Sequence, residues 1–296
     1  MIISFRRSNS NDPMNFKSAR TLDFIKRSLD EDLGSGDHSS LSCISKDARG
    51  KARLLFKEDG VVAGLELAKV ILEQLDPDAE FNFFKSDGDA VKKGEEGFVV
   101  TAEVRAILGA ERLLLNCMQR LSGIATYTNN LVKLIEHTNS RILDTRKTTP
   151  GLRFLEKWAV TVGGGTNHRA GLYDMVMLKD NHIDYAGGIR EAVELSRSYL
   201  KDKGLDLKIE VETRNLDEVR ETISCTGVDR IMLDNFTPGE IREALNLIDG
   251  KCETEASGGI TEENLVSYAE TGVDFVSIGA LTHSVKSLDI SLKHTD

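Results

Sequence analysis

The spacing of apolar residues divides the chain into two regions with different patterns. In the first, apolar positions recur at helical spacing over residues 19–33, which predicts one helix with Thr21 as its N-cap. Short apolar stretches bounded by glycines then predict four strands and one helix. The strands are at 51–57, 61–63, 80–84 and 98–107, and the helix is at 65–75. Several strands with few helices favour a compact α+β domain.

From residue 109 onward, apolar stretches of helical length alternate with shorter ones. Two long helices are predicted at 110–121 and 124–136, joined near 122–123. Strands are then predicted at 141–144, 175–178, 207–211, 230–233, 252–256 and 275–278, with helices at 152–162, 186–200, 216–224, 238–248 and 262–271. This alternation predicts a parallel sheet with right-handed crossovers, either an open doubly wound sheet or a barrel. Because no Gly-x-Gly-x-x-Gly opens the first unit, a dinucleotide-binding fold is disfavoured.

Charged, hydroxyl or glycine residues follow each of the six predicted parallel strands. In chain order they are Thr145, Arg146 and Lys147, then Lys179, Asp180 and Asn181, then Glu212, then Asp234 and Asn235, then Ser257, Gly258 and Gly259, and finally Gly279, Ala280, Leu281 and Thr282. In a parallel barrel the carboxyl ends of the strands lie on one rim, where such enzymes keep their active sites. The glycines on the last two strands are typical of phosphate-binding loops.

Charge is distributed unevenly along the chain. The formal net charge is −10, yet residues 141–190 contain eight Lys or Arg against five Asp or Glu. This concentration of cations favours a site for a small molecule that carries several negative charges. The alternative is a solvated helix face with scattered charges.

Composition argues against several classes of protein. No basic stripe is long enough to neutralise a run of phosphates, so we expect no nucleic-acid partner. No apolar run approaches the roughly 20 residues that span a bilayer, so we expect no membrane association. The four cysteines lie far apart without a Cys-x-x-Cys, which favours reduced thiols in a cytoplasmic protein. Residues 1–16 are polar and predict a disordered tail, with Met14 as an alternative start.

The rim residues predict a specific chemistry. Arg146, Lys147, Arg169 and Lys179 provide more positive charge than one carboxylate requires. Glu212 and Asp234 would repel a polyanion unless Mg²⁺ bridged them to it. We therefore expect a phosphorylated, Mg²⁺-dependent substrate together with a carboxylate-bearing one. We expect Glu212 and Asp234 to bind the metal, directly or through water or pyrophosphate.

Three assignments have alternatives. Lys179 at a strand end is also compatible with a Schiff-base lysine. His182 and His283 are interpreted as hydrogen-bonded loop residues rather than ligands. Glu210 is expected on the opposite face of its strand from Glu212, so Glu212 is assigned to the site.

Several of these motifs occur together in one known family. The runs DTRKTTPGLR, GGGTNHRAGLYDMVMLKDNH, IEVET, MLDNF, EASGGIT and SIGALTHS closely resemble quinolinate phosphoribosyltransferase. The resemblance extends from about Asp23 to the C-terminus and includes ERLLLN at 111–116. It implies an N-terminal α+β open sandwich domain, placed at 17–123, and an incomplete TIM-like parallel β/α barrel at 124–296, whose C-terminal segment is a candidate to return to the first domain.

The resemblance also implies a reaction and a set of roles. Quinolinate and phosphoribosyl pyrophosphate would give nicotinate mononucleotide, pyrophosphate and CO₂, with Mg²⁺ as cofactor. Lys147, Lys179, Glu212 and Asp234 would be catalytic. Substrate would bind to Arg112, Thr145, Arg146, Lys147, His168, Arg169, Lys179, Glu212, Asp234, Ser257, Gly258, Gly259, Gly279, Ala280, Leu281 and Thr282. Arg112 would reach the site of a neighbouring subunit, which implies at least a homodimer.

Two other functions remain open from the sequence. One is a paralogous transferase of the same fold that acts on another acceptor, such as the family member associated with molybdenum utilisation. The full set of Arg146, Lys147, His168, Arg169 and Lys179 argues against it. The other is a non-catalytic phosphometabolite-binding protein.

Overall fold

The computed structural model describes residues 14–296. These residues form two compact units. The first ends at Thr126 and resumes at Val285–Asp296, and the second is Tyr127–Ser284. Most of the tail predicted at 1–16 lies outside the described residues. Of its last three residues, Phe16 is buried.

The first unit begins with the predicted helix, α1 (Ala19–Leu33). Its N-cap is Ser18 and not Thr21, because the Ser18 side chain accepts from the Thr21 N–H while Thr21 itself is buried. A short second helix, α2 (His38–Cys43), was not predicted. Asp37 caps it by accepting hydrogen bonds from the N–H groups of Ser39 and Ser40.

The predicted strand-rich region follows. Its elements are β1 (Arg49–Phe56), β2 (Gly60–Val61), α3 (Leu65–Glu73), β3 (Glu80–Phe83), β4 (Ala90–Val91) and β5 (Glu96–Glu103). β1, β5 and β3 form an antiparallel sheet, and β2 pairs with β4. Alternate residues of β1 are buried, including Leu54 and Phe56 at 0% exposure, as expected for a strand that packs one face onto a core.

One long helix, α4 (Val104–Leu134), replaces the two helices predicted on either side of 122–123. The prediction interpreted Gly123 as part of a connection. A Cβ at Gly123 would instead lie 2.2 Å from the carbonyl oxygen of Lys286, so the glycine allows another segment of backbone to approach the helix.

The second unit alternates strands and helices as predicted. Its elements are β6 (Arg141–Leu143), α5 (Arg153–Val162), β7 (Val176–Leu178), α6 (Asp180–Ala186), α7 (Ile189–Lys203), β8 (Ile209–Thr213), α8 (Leu216–Ser224), β9 (Arg230–Asp234), α9 (Pro238–Ile248), β10 (Glu253–Ser257), α10 (Leu265–Ala269), β11 (Phe275–Ser277) and α11 (Ala280–His283). The helix α6 was missed, and β8 ends two residues later than predicted.

The six strands of this unit form one parallel sheet in the order β6-β11-β10-β9-β8-β7. β6 and β7, consecutive in the chain, occupy its two ends, which is the strand order of a barrel whose closure is incomplete. The fold class predicted from the sequence, an incomplete parallel barrel with a separate N-terminal domain, is confirmed. All six carboxyl ends consequently lie at one edge of the sheet.

The last strand, β12 (Ile290–Thr295), belongs to the first unit. It pairs antiparallel with β1, with Leu54 opposite Leu292, and completes a sheet of order β12-β1-β5-β3. The C-terminal segment therefore supplies an outer strand of the first unit.

Candidate active site

A cavity of about 650 Å³ opens at the carboxyl ends of the parallel strands in the second unit. Most of the residues assigned to the site from the sequence line it: Thr145, Arg146, Lys147, His168, Arg169, Lys179, Glu212, Asp234, Ser257, Gly258, Gly259, Gly279 and Ala280. The parallel sheet brings them together although they span more than 130 positions of the chain.

Three assigned residues do not line the cavity. Arg112 is exposed on α4 in the first unit. Leu281 and Thr282 are buried at 0% exposure. Thr282 has a supporting role, because its hydroxyl donates to the carbonyl oxygen of Lys147 at 2.8 Å and so fixes the loop that carries this lysine.

The loop after β6 holds the first two cations. The hydroxyl of Thr145 accepts from the N–H of Lys147 at 3.0 Å. Arg153 on α5 donates to the Arg146 carbonyl at 3.3 Å and to the Ala170 carbonyl at 3.0 Å. Arg153 thus joins the loop that carries Arg146 and Lys147 to the loop that carries Arg169.

A buried ion pair positions the segment that carries His168. Lys157 donates to Asp144 and to the carbonyl oxygen of His168, and Asp144 accepts from the His168 N–H at 2.8 Å. Burial raises the pKa of Asp144 to about 6, although Lys157 opposes the shift. Both side chains are almost completely buried, so the pair serves as a support and does not face the ligand.

His168 lies above two buried carboxylates. Its Nε2 is 3.1 Å from Glu210 and 3.3 Å from Oε2 of Glu255, and Arg230 lies 3.1 Å from the same Glu255 oxygen. Arg230 also pairs with Glu253 at 3.0 Å, so the cluster contains three carboxylates, one guanidinium and one imidazole. Burial alone would lower the pKa of His168, but Glu210 and Glu255 outweigh it and raise that pKa to about 9.

The placement of Glu210 corrects the sequence analysis. Glu210 and Glu212 are two positions apart on β8, so their side chains share a face, and the expectation that Glu210 points away was wrong. Glu210 is buried beneath the cavity against His168, while Glu212 lines the cavity. The assignment of Glu212 to the site is unaffected.

The other two cationic side chains, Arg169 and Lys179, have different electrostatic environments. Burial lowers the pKa of the Arg169 guanidinium, and the nearby charge of Arg146 lowers it further. Repulsion between these two arginines favours an anion between them. Lys179 instead forms an ion pair with Glu212, at 2.5 Å. An ammonium paired in this way is poorly suited to form a Schiff base, which disfavours that alternative.

The carboxylate side of the cavity is formed by the ends of β9 and β10. Burial raises the pKa of Asp234, and the charge of Glu212 raises it further, while Lys179 and a hydrogen bond from Asn235 oppose the shift. Gly258 and Gly259 follow β10 with φ of +95° and +62°. The glycines therefore let the backbone itself form this wall.

Comparison with known proteins identifies the family of the chain. The family model for the C-terminal domain of quinolinate phosphoribosyl transferase matches residues 124–293, and that for the N-terminal domain matches residues 37–122. The chain belongs to the quinolinate phosphoribosyltransferase family. A chloroplastic carboxylating nicotinate-nucleotide pyrophosphorylase of Arabidopsis thaliana is 50% identical over 286 residues, which cover 91% of this chain and 81% of that protein. The probable counterpart in Bacillus subtilis (strain 168) is 45% identical and covers 90% of each chain.

Solved structures of the same family share the fold. NadC from Streptococcus pyogenes superposes with a TM-score of 0.90 at 38% identity, over 97% of this chain and 100% of that one. The nicotinate-nucleotide pyrophosphorylase of Francisella tularensis gives 0.89 at 38% identity, over 96% and 100%. Within residues 14–296, no helix combines the length and apolarity needed to cross a membrane.

Sequence reasoning missed several residues that line the cavity of this phosphoribosyltransferase-family chain. They are Met177, Met232, Glu255, Ile260, Thr261, Ser277 and His283. Asn235 also lines the cavity, and the sequence placed it at the rim without assigning it a role. His283 was interpreted as a hydrogen-bonded loop residue. It does lie 2.6 Å from the Ser284 hydroxyl, but it also lines the cavity.

The sequence contained enough information to place four residues in or beneath the cavity. Counting back two positions from Lys179, Glu212, Asp234 and Ser257 gives Met177, Glu210, Met232 and Glu255. Because side chains alternate along a strand, each of these lies on the same face as its partner at the rim.

Proposed function

We propose that this protein transfers the phosphoribosyl group of phosphoribosyl pyrophosphate to quinolinate and releases CO₂ and pyrophosphate, giving nicotinate mononucleotide. One observation carries the proposal: a single cavity gathers four Arg or Lys side chains, three carboxylates and two glycine-bearing loops. The relatives reported above are named for this activity. Members of this class are pentosyltransferases of NAD biosynthesis.

The cationic wall is suited to the diacid. Quinolinate carries two adjacent carboxylates on a pyridine ring, and Arg146 and Arg169 supply planar guanidinium groups that bind carboxylates in bidentate fashion. Lys147, Lys179 and His168 add positive charge to the lining of the cavity. Met177 and Met232 provide apolar contacts for the ring.

The opposite wall is suited to the sugar and its phosphates. The residues fit Mg²⁺, because Glu212 and Asp234 supply hard carboxylate oxygens and because Glu212 disfavours the charged form of Asp234. Glu212 and Asp234 would hold Mg²⁺ with the pyrophosphate and would bind the ribose hydroxyls. When bound, the metal would stabilise negative charge on the leaving pyrophosphate. Ser257, Gly258, Gly259, Gly279 and Ala280 would bind phosphate.

The groups account for the chemistry without a protein nucleophile. Departure of pyrophosphate leaves an oxocarbenium-like carbon, which the quinolinate nitrogen attacks, and Lys147 and Lys179 stabilise the negative charge that develops. The ring nitrogen then carries positive charge and stabilises the electron pair that stays on C2 as CO₂ leaves, and C2 afterwards takes up one proton from solvent. The loss of CO₂ needs correct orientation and a desolvated pocket.

We further propose that the protein works as a homodimer in the cytoplasm. Support for the dimer is the exposed position of Arg112, outside its own cavity lining, together with the family resemblance. Mixing Arg112→Ala with Lys179→Ala subunits tests it, because hybrid dimers regain activity at one of their two sites if Arg112 serves its neighbour. No recovery would contradict a shared site. The compartment is tested by fractionation, since plant relatives are named chloroplastic or mitochondrial.

The activity itself is tested by incubating the protein with quinolinate, phosphoribosyl pyrophosphate and Mg²⁺ and following nicotinate mononucleotide and CO₂. We expect both products in equal amounts, and we expect Arg146→Ala and Lys147→Ala to abolish most of the turnover. Product from another acid but none from quinolinate would favour the paralogous transferase. Binding without any turnover would favour a phosphometabolite-binding protein.

A further inference from the structure

Asn235 occupies an unusual position at the end of β9. Its φ is +59°, and within residues 14–296 the other non-glycine residue with positive φ is Asp249. Asp249 terminates α9, where this conformation is common, whereas Asn235 lies at the rim of the candidate active site. Left-handed backbone at a non-glycine residue has a conformational cost and is concentrated at functional sites.

Three contacts hold Asn235 in this conformation. Its N–H donates to the carbonyl oxygen of Ser257 at 2.8 Å, which continues the pairing of β9 with β10. Its side-chain Nδ2 donates to Oδ2 of Asp234 at 2.6 Å. Its Oδ1 occupies the space that a side chain at Gly258 would need, because a Cβ there would lie 2.2 Å from this oxygen.

The contact with Asp234 has a directional consequence. A carboxylate that accepts one hydrogen bond at Oδ2 keeps Oδ1 for another partner and loses rotational freedom about its Cβ–Cγ bond. Asn235 thus orients the carboxylate of Asp234.

We propose that Asn235 is a positioning residue that orients Asp234 toward the ribose hydroxyls and Mg²⁺ of phosphoribosyl pyrophosphate. The inference rests on the proposed function and adds to it a residue that acts through Asp234. Gly258 is part of the same arrangement, because only a residue without a side chain leaves room for the Asn235 amide. The carboxylate wall and the glycine loop are therefore coupled through one side chain.

The test measures binding of phosphoribosyl pyrophosphate by isothermal titration calorimetry, with Mg²⁺ and without quinolinate, so that no turnover occurs. Asn235→Gly removes the amide and suits the positive φ. Asp249→Gly is the matched control, because it makes the same backbone change at a residue outside the cavity lining. We expect Asn235→Gly to weaken binding about tenfold or more, as for loss of a hydrogen bond to a charged group, and Asp249→Gly to bind as the unaltered protein does.

A double-mutant cycle separates positioning from direct contact. If Asn235 acts through Asp234, adding Asn235→Gly to Asp234→Ala changes affinity by less than about twofold. An equal loss in both backgrounds, or no loss from Asn235→Gly alone, would overturn the inference while leaving the proposed function intact. If the unaltered protein does not bind phosphoribosyl pyrophosphate, the proposed function fails, and the inference fails with it.

Discussion

Lys179 and Glu212 form an ion pair at the ends of two neighbouring parallel strands, with Nζ 2.5 Å from Oε2. Glu212 is largely buried, whereas the lysine side chain is 44% exposed. The pair places a cation assigned to the diacid directly beside a carboxylate assigned to the sugar and its phosphates. In the proposed function Lys179 would therefore have two effects: it would attract the diacid, and it would offset a negative charge that would repel it.

Replacement of Lys179 tests this double effect. We expect Lys179→Ala to lower kcat/KM for quinolinate about 100-fold, because an attractive charge is lost and Glu212 is left unpaired. Adding Glu212→Gln should recover part of the affinity for quinolinate, measured by fluorescence or calorimetry, although turnover stays low. If the double variant binds no better than Lys179→Ala, Glu212 does not repel the diacid.

The environment of His168 predicts a measurable titration. Its pKa is raised to about 9 by Glu210 and Glu255 after burial is overcome, so the imidazole should be charged at neutral pH. Once Nδ1 has lost its proton it can accept from the Arg169 N–H, whose nitrogen lies 2.6 Å away, whereas Nε2 faces Glu210 and Glu255. We therefore expect the proton on Nδ1 to be lost near pH 9 while Nε2 keeps its own. NMR titration of ¹³C,¹⁵N-labelled histidine checks both the pKa and the nitrogen that keeps its proton. The His168 signal must be assigned among the six histidines of the chain.

The same titration affects stability with a defined sign. Because the folded pKa lies above the unfolded value of about 6.5, the contribution is fully present below pH 6.5 and is lost as pH rises through 9. Its size is at most about 3–4 kcal/mol. Urea unfolding should show a steeper loss of stability above pH 7 in the unaltered protein than in Glu255→Gln. A His168 pKa near 6.5, or equal slopes for the two proteins, would contradict the prediction.

The Asp144–Lys157 pair predicts a large effect on stability away from the ligand. Lys157→Met leaves a buried carboxylate without its cation, and we expect a loss of about 3–5 kcal/mol in the free energy of unfolding. Asp144→Asn combined with Lys157→Met removes both charges and should recover much of the loss in denaturant unfolding. The single and double variants would have equal stability if the uncompensated charge were not the cause.

Gly123 predicts a steric effect within α4. In Gly123→Ala the new Cβ would lie 2.2 Å from the Lys286 carbonyl oxygen, and the backbone must move, so we expect a loss of about 2–3 kcal/mol. Gly109→Ala is the matched control in the same helix. Its Cβ meets only the side chains of Leu33 and Leu75, at 3.3 and 3.4 Å, which can shift. Thermal unfolding should show Gly109→Ala within about 1 kcal/mol of the unaltered protein, and equal losses in both variants would refute the steric explanation.

Local patterns in the sequence determined most of the elements. The helices α1, α8 and α9 begin and end at the predicted residues, because their apolar periodicity is encoded within the elements themselves. The residues after each parallel strand were found for a similar reason. A strand end is a local signal, and the alternation of strands and helices already implies that all such ends meet at one edge.

Signals that depend on a distant partner were not recovered. Gly123 looks like a break in a helix until Lys286 is seen beside it. In the sequence Asn235 is one of several polar residues at a strand end. Only the structure shows that its backbone conformation places it against Asp234 and Gly258. Glu210 was placed on the wrong face, although the period of two along a strand was sufficient to avoid that error.

The sequence by itself therefore determined the family, the order of the elements and the set of charged residues at the rim. The tertiary structure decided which of these charges neutralise one another, as Lys179 does with Glu212 and His168 with Glu210 and Glu255. The physical reason is that periodicity and capping act within a few residues of the chain. Ion pairing and close packing instead depend on strand order and register, which the folding of the whole unit sets.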